Sequence, residues 1–380
     1  MSRTVPGVLT ESLDELRRTR TSLKWRAFPD DVLPAWVAEM DARPCPPVVE
    51  AVTTALARGD TGYPVAGPFA EAFAGFAKRR WDWAVDPDST MLVPDVMIGI
   101  EELLHAITPP DAGVVVSPPC YDSFYGFVES VGRRLVEAHL GPDQRLDPAA
   151  LEQAFADAGP GSAYILCNPQ NPTGTVHTPD ELATVARLAA EHQVVVLSDE
   201  IHAPLVQPGV EFTPYLSVPE ASAGLAVVSA SKAFNLAGLK AALAVPGPEA
   251  QSSLAKLHEV VTHGANHLGV IGQAAAWSSG EEWLDQLREE IEANRALLTS
   301  LLASSLPEVV VTPAGATYLA WLDCRGLGLD DPAGKFLSRG RLAVSAGTRY
   351  DRQAAGWVRF NLGTSPEVIE EAVHRMAASV

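Results

Sequence analysis

One lysine lies in an unusual place, directly after an apolar segment. Lys232 ends the tetrapeptide SASK, which follows the apolar run LAVV at 225–228. Moving an ammonium group out of water is costly unless the amine is neutralised or bonded. A Schiff base with an aldehyde is one solution, because the nitrogen then becomes part of an imine. The alternative is an ordinary strand-end lysine in solvent.

Two further polar residues follow apolar runs. Asp199 comes after VVVLS at 194–198, and Asn171 lies in NPQNPTG at 168–174. A carboxylate at the end of a buried strand either caps a helix or pairs with a buried cation, such as a protonated pyridine nitrogen. The Asn-Pro pairs and the glycine predict a rigid turn, from which Asn171 could donate a hydrogen bond to a phenolic oxygen.

The elements that must position these residues predict an α/β fold. Short apolar runs alternate with helical patterns, and the runs lie at 113–116, 163–166, 194–197, 225–228 and 241–245. Continuous apolar strands separated by helices indicate a mainly parallel sheet that is covered on both faces. In such sheets ligands bind at the carboxyl ends of the strands. Four of the runs end in polar or Pro/Gly motifs, so we expect the site at that edge.

The length of 380 residues predicts a large domain and a smaller one. Two helices, at 46–59 and 68–80, precede the predicted sheet. After about residue 276 the pattern changes to a long charged helix, short strands and a final helix from about residue 366. We therefore expect a large domain at 46–275 and a small α+β domain formed by 1–45 and 276–380.

The charge of the chain excludes several classes of partner. Its 28 basic and 47 acidic residues give a formal net charge of −19, which disfavours nucleic acid and anionic membrane surfaces. No window approaches the ~20 apolar residues of a membrane span, and the amino terminus has no apolar core segment. We expect a cytoplasmic protein with no membrane partner. The four widely spaced cysteines match neither a zinc pattern nor a disulfide framework.

Taken together, the motifs resemble a known enzyme family. The ordered set NPxNPTG, Asp199 and SxSK is similar to fold-type I pyridoxal-phosphate enzymes of the class I/II aminotransferase family. A narrower resemblance covers nearly the whole chain and points to its cystathionine β-lyase branch, the carbon–sulfur lyases of the MalY/PatB type. The segments that carry it are LPAWVAEMD, TGYP, PPCYDSF, SDEIHAPLV, SKAFNLAGLK, TYLAWLD and VRFNL. The resemblance implies pyridoxal 5′-phosphate as cofactor, bound to a large domain with a mostly parallel sheet.

The resemblance implies roles around the cofactor ring. Lys232 would form the Schiff base and later move the Cα proton, Asp199 would pair with the pyridinium nitrogen, and Asn171 would bond the phenolic oxygen. Tyr121 would stack on the ring, although it could instead be a half-buried core tyrosine. His202, where ordinary aminotransferases more often carry Tyr, would lie near the phenolic oxygen; the alternative is a core histidine that never titrates.

The resemblance also implies a phosphate site. Ser231 and Ser229 offer hydroxyl groups, and Lys240 stands where related enzymes often have a phosphate-binding arginine. Backbone N–H groups at the start of a predicted helix form a natural anion site, and those expected here belong to Ile98, Gly99 and Ile100. The family usually has glycine where this chain has Asp95.

Three residues are expected to meet the substrate. Arg359 alternates with apolar neighbours in WVRFN and would hold the α-carboxylate in a two-bond fork; the alternative is a surface arginine. Trp36 is expected at the substrate, and Tyr63 is expected to serve both substrate and cofactor. Tyr63 resembles a tyrosine that reaches the phosphate of the neighbouring subunit, which implies a homodimer with shared active sites. It could also be a turn aromatic packed on its own chain.

The predicted activity is a carbon–sulfur β-lyase acting on a small amino acid. L-Cystathionine or another cysteine S-conjugate, including one from secondary metabolism, would yield a thiol, pyruvate and ammonia. The same cofactor frame supports transamination, which would require a 2-oxo acid, and a regulatory protein that retains the fold is a third possibility. The usual substrate loop is rich in Phe and Gly, whereas this chain reads GTRYD at 347–351, which leaves the preference for cystathionine open.

Overall fold

The computed structural model describes residues 7–380 of the chain. In this range the strands are β1 (Leu33–Pro34), β2 (Met91–Val93), β3 (Gly113–Val116), β4 (Arg134–Glu137), β5 (Ala163–Cys167), β6 (Val195–Asp199), β7 (Leu225–Val228), β8 (Ala242–Pro246), β9 (Val310–Val311), β10 (Leu319–Asp323), β11 (Leu342–Ala343), β12 (Ser345–Ala346) and β13 (Trp357–Asn361). The α-helices are α1 (Leu13–Thr19), α2 (Leu23–Arg26), α3 (Pro46–Arg58), α4 (Gly67–Trp81), α5 (Val96–Ile107), α6 (Ser123–Ser130), α7 (Pro148–Ala158), α8 (Pro179–Glu191), α9 (Gln251–Leu254), α10 (Glu259–His263), α11 (His267–Ser279), α12 (Glu281–Ser305), α13 (Pro332–Gly340) and α14 (Pro366–Ala377).

Seven strands form the central sheet, in the order β2-β8-β7-β6-β5-β3-β4. Strand β8 runs antiparallel to both neighbours, and the other pairs are parallel. Helices cover both faces, so alternate strand residues enter different core clusters. Along β7, Val227 packs in the cluster that contains α5, whereas Val228 packs in the cluster that contains α3, α4 and α11. The predicted α/β fold with a mostly parallel sheet is confirmed.

Two smaller sheets are formed mainly by C-terminal strands, with β1 from the N-terminal segment. Strands β12-β13-β10-β9 form an antiparallel sheet, and β1 pairs in parallel with β11. The long helix α12 packs against α14 beside them. Apolar residues of all these elements share one core cluster. We call these elements the smaller unit; the predicted domain boundary after about residue 276 stays a prediction.

The N-terminal segment contributes to both parts of the molecule. Leu33 and Ala35 belong to the core of the smaller unit, whereas Ala38 and Met40 pack in the core beneath the central sheet. The segment therefore passes from one unit to the other between residues 35 and 38. The division at 46–275 stays a prediction, and the first six residues of its small domain lie outside the described residues. Among residues 7–380, no helix is long and apolar enough to cross a membrane.

Candidate active site

A cavity of about 360 Å³ opens at the carboxyl ends of the central strands. Its lining comes from residues that follow β3, β5, β6 and β7 and from the start of α5, as the strand-end motifs predict. The side chains that bear on the chemistry are Asp95, Tyr121, Asn171, Asp199, His202, Ser231, Lys232 and Lys240.

Lys232 lies in this cavity four residues beyond the end of β7, and its side chain is partly buried. Its Nζ donates a hydrogen bond to the carbonyl oxygen of Ala38 at 2.8 Å. Burial, together with the positive charge of Arg359, lowers the pKa of the amine to about 8, although the negative charge of Asp199 opposes the shift. The neutral amine, which is the nucleophilic form, is therefore accessible near neutral pH.

Asp199 is the last residue of β6 and is 4% exposed. Its Oδ1 accepts a hydrogen bond from the N–H of Ile201 at 3.1 Å. Burial raises the pKa of the carboxyl group to about 6, and the positive charge of Lys232 partly offsets this shift. A buried carboxylate with this pKa is suited to pair with a cationic ring nitrogen, since such a partner would stabilise the charged form.

His202 is a neutral histidine beside Asp199. Its ring is buried, and burial lowers its pKa to about 3, with Lys232 and Arg359 as smaller causes in the same direction. The Nδ1 atom has no hydrogen-bond partner within the described residues. The ring packs edge-to-face on Tyr318, with centroids 6.1 Å apart. An unpaired nitrogen on a neutral ring is consistent with a hydrogen bond to a ligand in the cavity.

Arg359 lies on β13 and reaches the cavity edge from the smaller unit. Its Nη1 donates to Oδ1 of Asn171 at 3.1 Å, and its Nη2 donates to the carbonyl oxygen of Trp36 at 3.0 Å. The guanidinium carbon is 4.6 Å from the centroid of the Tyr350 ring. Arg359 is only 4% exposed, and its Nε has no partner within the described residues. The alternative of an exposed surface arginine is therefore wrong.

Tyr121 lines the cavity and is partly buried, five residues beyond β3. Its ring meets Phe124 edge-to-face with centroids 5.6 Å apart. Burial raises the pKa of its hydroxyl group. The side chain is thus a neutral aromatic wall of the cavity, which agrees with stacking on a ring and does not require ionisation.

The start of α5 offers free N–H groups, but they are not the ones that the sequence predicts. Asp95 caps the helix: its Oδ1 accepts from the N–H of Ile98 at 2.8 Å, and its carbonyl oxygen accepts from Gly99 at 2.9 Å. In the first turn of α5, the N–H groups of Val96 and Met97 have no hydrogen-bond partner within residues 7–380. The free N–H groups therefore begin two residues earlier than those expected to bind an anion.

Gly99 and Ile100 serve packing rather than binding. A Cβ atom at Gly99 would come within 2.8 Å of a methyl carbon of Val93, so glycine allows α5 to approach the sheet. Ile100 is fully buried in the same core. Near the helix start, Lys240 donates to Oδ2 of Asp95 at 2.6 Å. The positive charge of Lys240 therefore compensates the negative charge of Asp95, the residue that stands where the family usually has glycine.

The two serines of SASK have different surroundings. Ser231 lines the cavity, whereas Ser229 is buried beneath it. The Ser229 Oγ atom lies 2.7 Å from the carbonyl oxygen of Ala241 and 2.9 Å from Oε1 of Gln273. Its single hydrogen is therefore used within the fold. The structure does not bring Ser229 to the cavity as a phosphate ligand.

Two of the expected substrate residues also lie outside the cavity lining. Tyr63 is 81% exposed, and its ring lies 5.5 Å from that of His263. The indole of Trp36 packs edge-to-face on Phe28 and donates to the carbonyl oxygen of Lys24 at 3.4 Å. Within one chain, Trp36 acts through its backbone oxygen, which holds Arg359.

Residues 36–41, which we call the crossover segment, form a support that the sequence reasoning missed. Backbone oxygens of this segment accept hydrogen bonds from Lys232, Arg359 and Asn361. The segment is anchored by Asp41, which accepts from Nζ of Lys24 at 2.7 Å and from Nε1 of Trp25 at 2.8 Å. Lys24 and Asp41 are each 1% exposed. Lys24 is therefore buried and paired rather than solvated.

The described residues fit pyridoxal 5′-phosphate. The lining provides a lysine for the aldehyde, a buried carboxylate for the pyridine nitrogen, an aromatic wall and an unpaired histidine nitrogen. Two unpaired N–H groups, Ser231 and Lys240 supply donors for a phosphate at the start of α5.

Comparisons with known proteins define the class. The family model described as aminotransferase class I and II matches residues 31–376, so the chain belongs to this family. A cystathionine beta-lyase of Corynebacterium glutamicum is 34% identical and covers 96% of this chain and 98% of its own. Cystathionine beta-lyase PatB of Bacillus subtilis is 33% identical, with the same coverage. A solved structure of the pyridoxal-phosphate-bound C-S lyase from Staphylococcus hominis superposes with a TM-score of 0.89, at 25% identity over 97% of this chain and 98% of that one.

Proposed function

We propose that the protein cleaves the Cβ–S bond of L-cystathionine, giving homocysteine, pyruvate and ammonia with uptake of one water. The predicted enzyme class, a pyridoxal-phosphate-dependent carbon–sulfur β-lyase, is confirmed by the relatives. The observation that carries the proposal is the convergence of Lys232, Asp199 and His202 in one cavity, with Arg359 at its edge. When bound, the cofactor supplies an electron sink for the carbanion formed at Cα.

Each residue has a task that follows from its surroundings. Arg359, charged and held by Asn171, binds the substrate α-carboxylate in a two-bond fork. This places Cα near Lys232, whose lowered pKa suits it to take and return a proton. Asp199, buried at the end of β6, would hold the protonated ring nitrogen of the cofactor with its negative charge. His202, held neutral by burial, donates or accepts a hydrogen bond without adding charge.

A homodimer is part of the proposal, and the cytoplasmic location stays a prediction. Exposed apolar side chains on α3 and the loop after it support the dimer: Val49, Leu56, Tyr63 and Val65 are all more than 40% exposed. An apolar surface of this kind is typical of a protein interface. Tyr63 would then reach the phosphate of the neighbouring subunit, which explains why it lies outside the cavity of its own chain.

The reaction class is tested by supplying cystathionine without a 2-oxo acid. We expect many turnovers per active site, with thiol and pyruvate released in equal amounts. An aminotransferase would stop after one half-reaction until an acceptor was added, because its cofactor would retain the amino group. Strict dependence on a 2-oxo acid with every donor would contradict the lyase assignment. In parallel, borohydride reduction should fix the cofactor on Lys232, and Lys240 is the internal control that should remain unlabelled.

A further inference from the structure

Residues 347–351 of the smaller unit dock on residues 120–125 beside the cavity. The carbonyl oxygen of Tyr350 accepts hydrogen bonds from the N–H of Cys120 and the hydroxyl group of Tyr125, both at 3.0 Å. The Tyr350 ring lies against the guanidinium group of Arg359. The docked segment therefore joins the arginine that holds the α-carboxylate to the loop that carries the aromatic wall.

An ion pair stands at this junction. Nε and Nη2 of Arg349 donate to the same oxygen, Oδ2 of Asp122, at 2.9 and 2.6 Å. Asp122 lies between Tyr121 and Ser123, which both line the cavity. The Arg349 side chain is 60% exposed and that of Asp122 is 17% exposed. Asp122 and Arg349 do not themselves line the cavity; the pair lies beside its wall, at a position we call the rim, with Arg349 open to solvent.

Part of the hydrogen-bonding capacity of this pair is unused. Neither Oδ1 of Asp122 nor Nη1 of Arg349 has a hydrogen-bond partner among residues 7–380. The pair therefore keeps one free anionic acceptor and one free cationic donor. This arrangement is complementary to a group that carries an ammonium and a carboxylate on the same carbon. Because the Arg349 side chain is largely exposed, it can move enough to admit such a group.

We propose that Asp122 and Arg349 bind the distal amino-acid end of the substrate, so that the site prefers cysteine S-conjugates with a zwitterionic S-substituent. The inference rests on the proposed function and deepens it. The inner wall of the cavity is closed by buried groups such as Asp199 and His202. A substrate with its α-carboxylate on Arg359 therefore extends its S-substituent toward the rim. There Arg349 receives the distal carboxylate and Asp122 the distal ammonium.

The test compares kcat/KM for L-cystathionine with that for S-ethyl-L-cysteine, which has no distal charge. In Arg349→Gln and in Asp122→Asn, the ratio of the two values should fall about tenfold, the loss typical of one charge-assisted contact. The matched control is Arg341→Gln. Arg341 makes a similar two-bond contact to Asp31 away from the cavity, so this change should leave the ratio as it is.

Single-charge substrates assign each partner. With S-carboxypropyl-L-cysteine the penalty should appear in Arg349→Gln alone, and with S-aminopropyl-L-cysteine in Asp122→Asn alone. Binding of cystathionine to the borohydride-reduced, inactive protein, measured by calorimetry, should weaken in both variants. This readout does not depend on turnover.

The outcomes separate this inference from the proposed function. If kcat/KM fell equally for cystathionine and S-ethyl-L-cysteine, the pair would only dock the 347–351 segment. If kcat/KM changed for neither substrate, the pair would bind no substrate. Either result overturns the inference. If the unaltered enzyme released no thiol from any cysteine S-conjugate, the proposed function itself would fail.

Discussion

Lys232 combines two requirements that conflict for a lysine in water. It must be neutral to attack an aldehyde, yet it must be able to take up a proton during catalysis. Partial burial in the cavity and the nearby Arg359 charge lower its pKa from 10.5 to about 8. Asp199 acts in the opposite direction, so the value stays above neutrality. The site therefore sets the basicity of this amine through burial and through charges on two strands, β13 and β6.

This balance predicts the pH dependence of cofactor incorporation. Below its pKa the neutral fraction of an amine rises about tenfold per pH unit, and above the pKa it is constant. The rate at which cofactor-free protein takes up pyridoxal 5′-phosphate should therefore rise up to about pH 8 and then level off. In Arg359→Gln the rate should level off at a higher pH, because this change removes a positive charge that lowers the pKa of Lys232.

The measurement is the growth of the absorbance of bound cofactor in stopped flow. The same measurement with Nα-acetyl-lysine, which keeps a free side-chain amine, corrects for titration of the cofactor itself. A rate that continues to rise well above pH 9, as for a lysine in water, would show that the cavity does not shift this amine.

At the scale of elements, the crossover segment depends on one buried ion pair. Lys24 on α2 contacts Asp41 at 2.7 Å, and both side chains are out of solvent. Removing one partner of such a pair leaves an uncompensated charge in the interior. We expect Lys24→Met to lower the free energy of unfolding by about 3–5 kcal/mol. Activity should fall as well, because the segment carries the oxygens that hold Lys232 and Arg359.

Urea unfolding measures the first effect and kcat/KM the second. Lys78→Met is the matched control, since its partner Asp82 is 88% exposed at the end of α4 and the pair is solvated. That variant should unfold like the unaltered protein. Equal stability of Lys24→Met and Lys78→Met would show that the buried pair does not hold the segment.

The sequence predicts the bounds of an element well where the local pattern of apolar residues determines them. Strands β3 and β7 have the predicted bounds because continuous apolar runs are buried on both faces. Strand β4 is not predicted: it lies at the sheet edge, where Arg134 is exposed and no apolar run is required. Strands β1 and β11 have two residues each and exist only through their mutual pairing. Such pairing has no local signature.

The same limit applies to the site. Lys232, Asp199 and Asn171 can be predicted because each follows a recognisable strand. The direction of the Ser229 hydroxyl group cannot be predicted, since it depends on Gln273, which lies on α11 and is 44 residues away in the sequence. Similarly, the burial of Lys24 depends on where Asp41 lies in the fold. Residue type indicates the chemistry that is available, and long-range packing decides which atoms face the cavity.

At the scale of the whole molecule, each active site is proposed to need two chains. One chain supplies Lys232 and Asp199 to its own cavity, and Tyr63, which is exposed, serves the cavity of the partner. Lys232→Ala and Tyr63→Ala should therefore each be inactive or strongly impaired as pure proteins. Co-expressed, they form mixed dimers in which one site carries both changes and the other carries neither. Activity should reappear in the mixture.

The matched control is a mixture of Lys232→Ala with Asp199→Ala. These two residues line the cavity of the same chain, so every site in their mixed dimers carries one of the changes and no activity should return. Light scattering on the purified mixtures checks that dimers form in both cases. Recovery in the first mixture alone places Tyr63 across the interface, because only an exchange between chains can assemble an intact site. Full activity of pure Tyr63→Ala, or equal activity of the two mixtures, would instead show that each active site is formed by one chain. Tyr63 would then be a turn aromatic that packs beside His263.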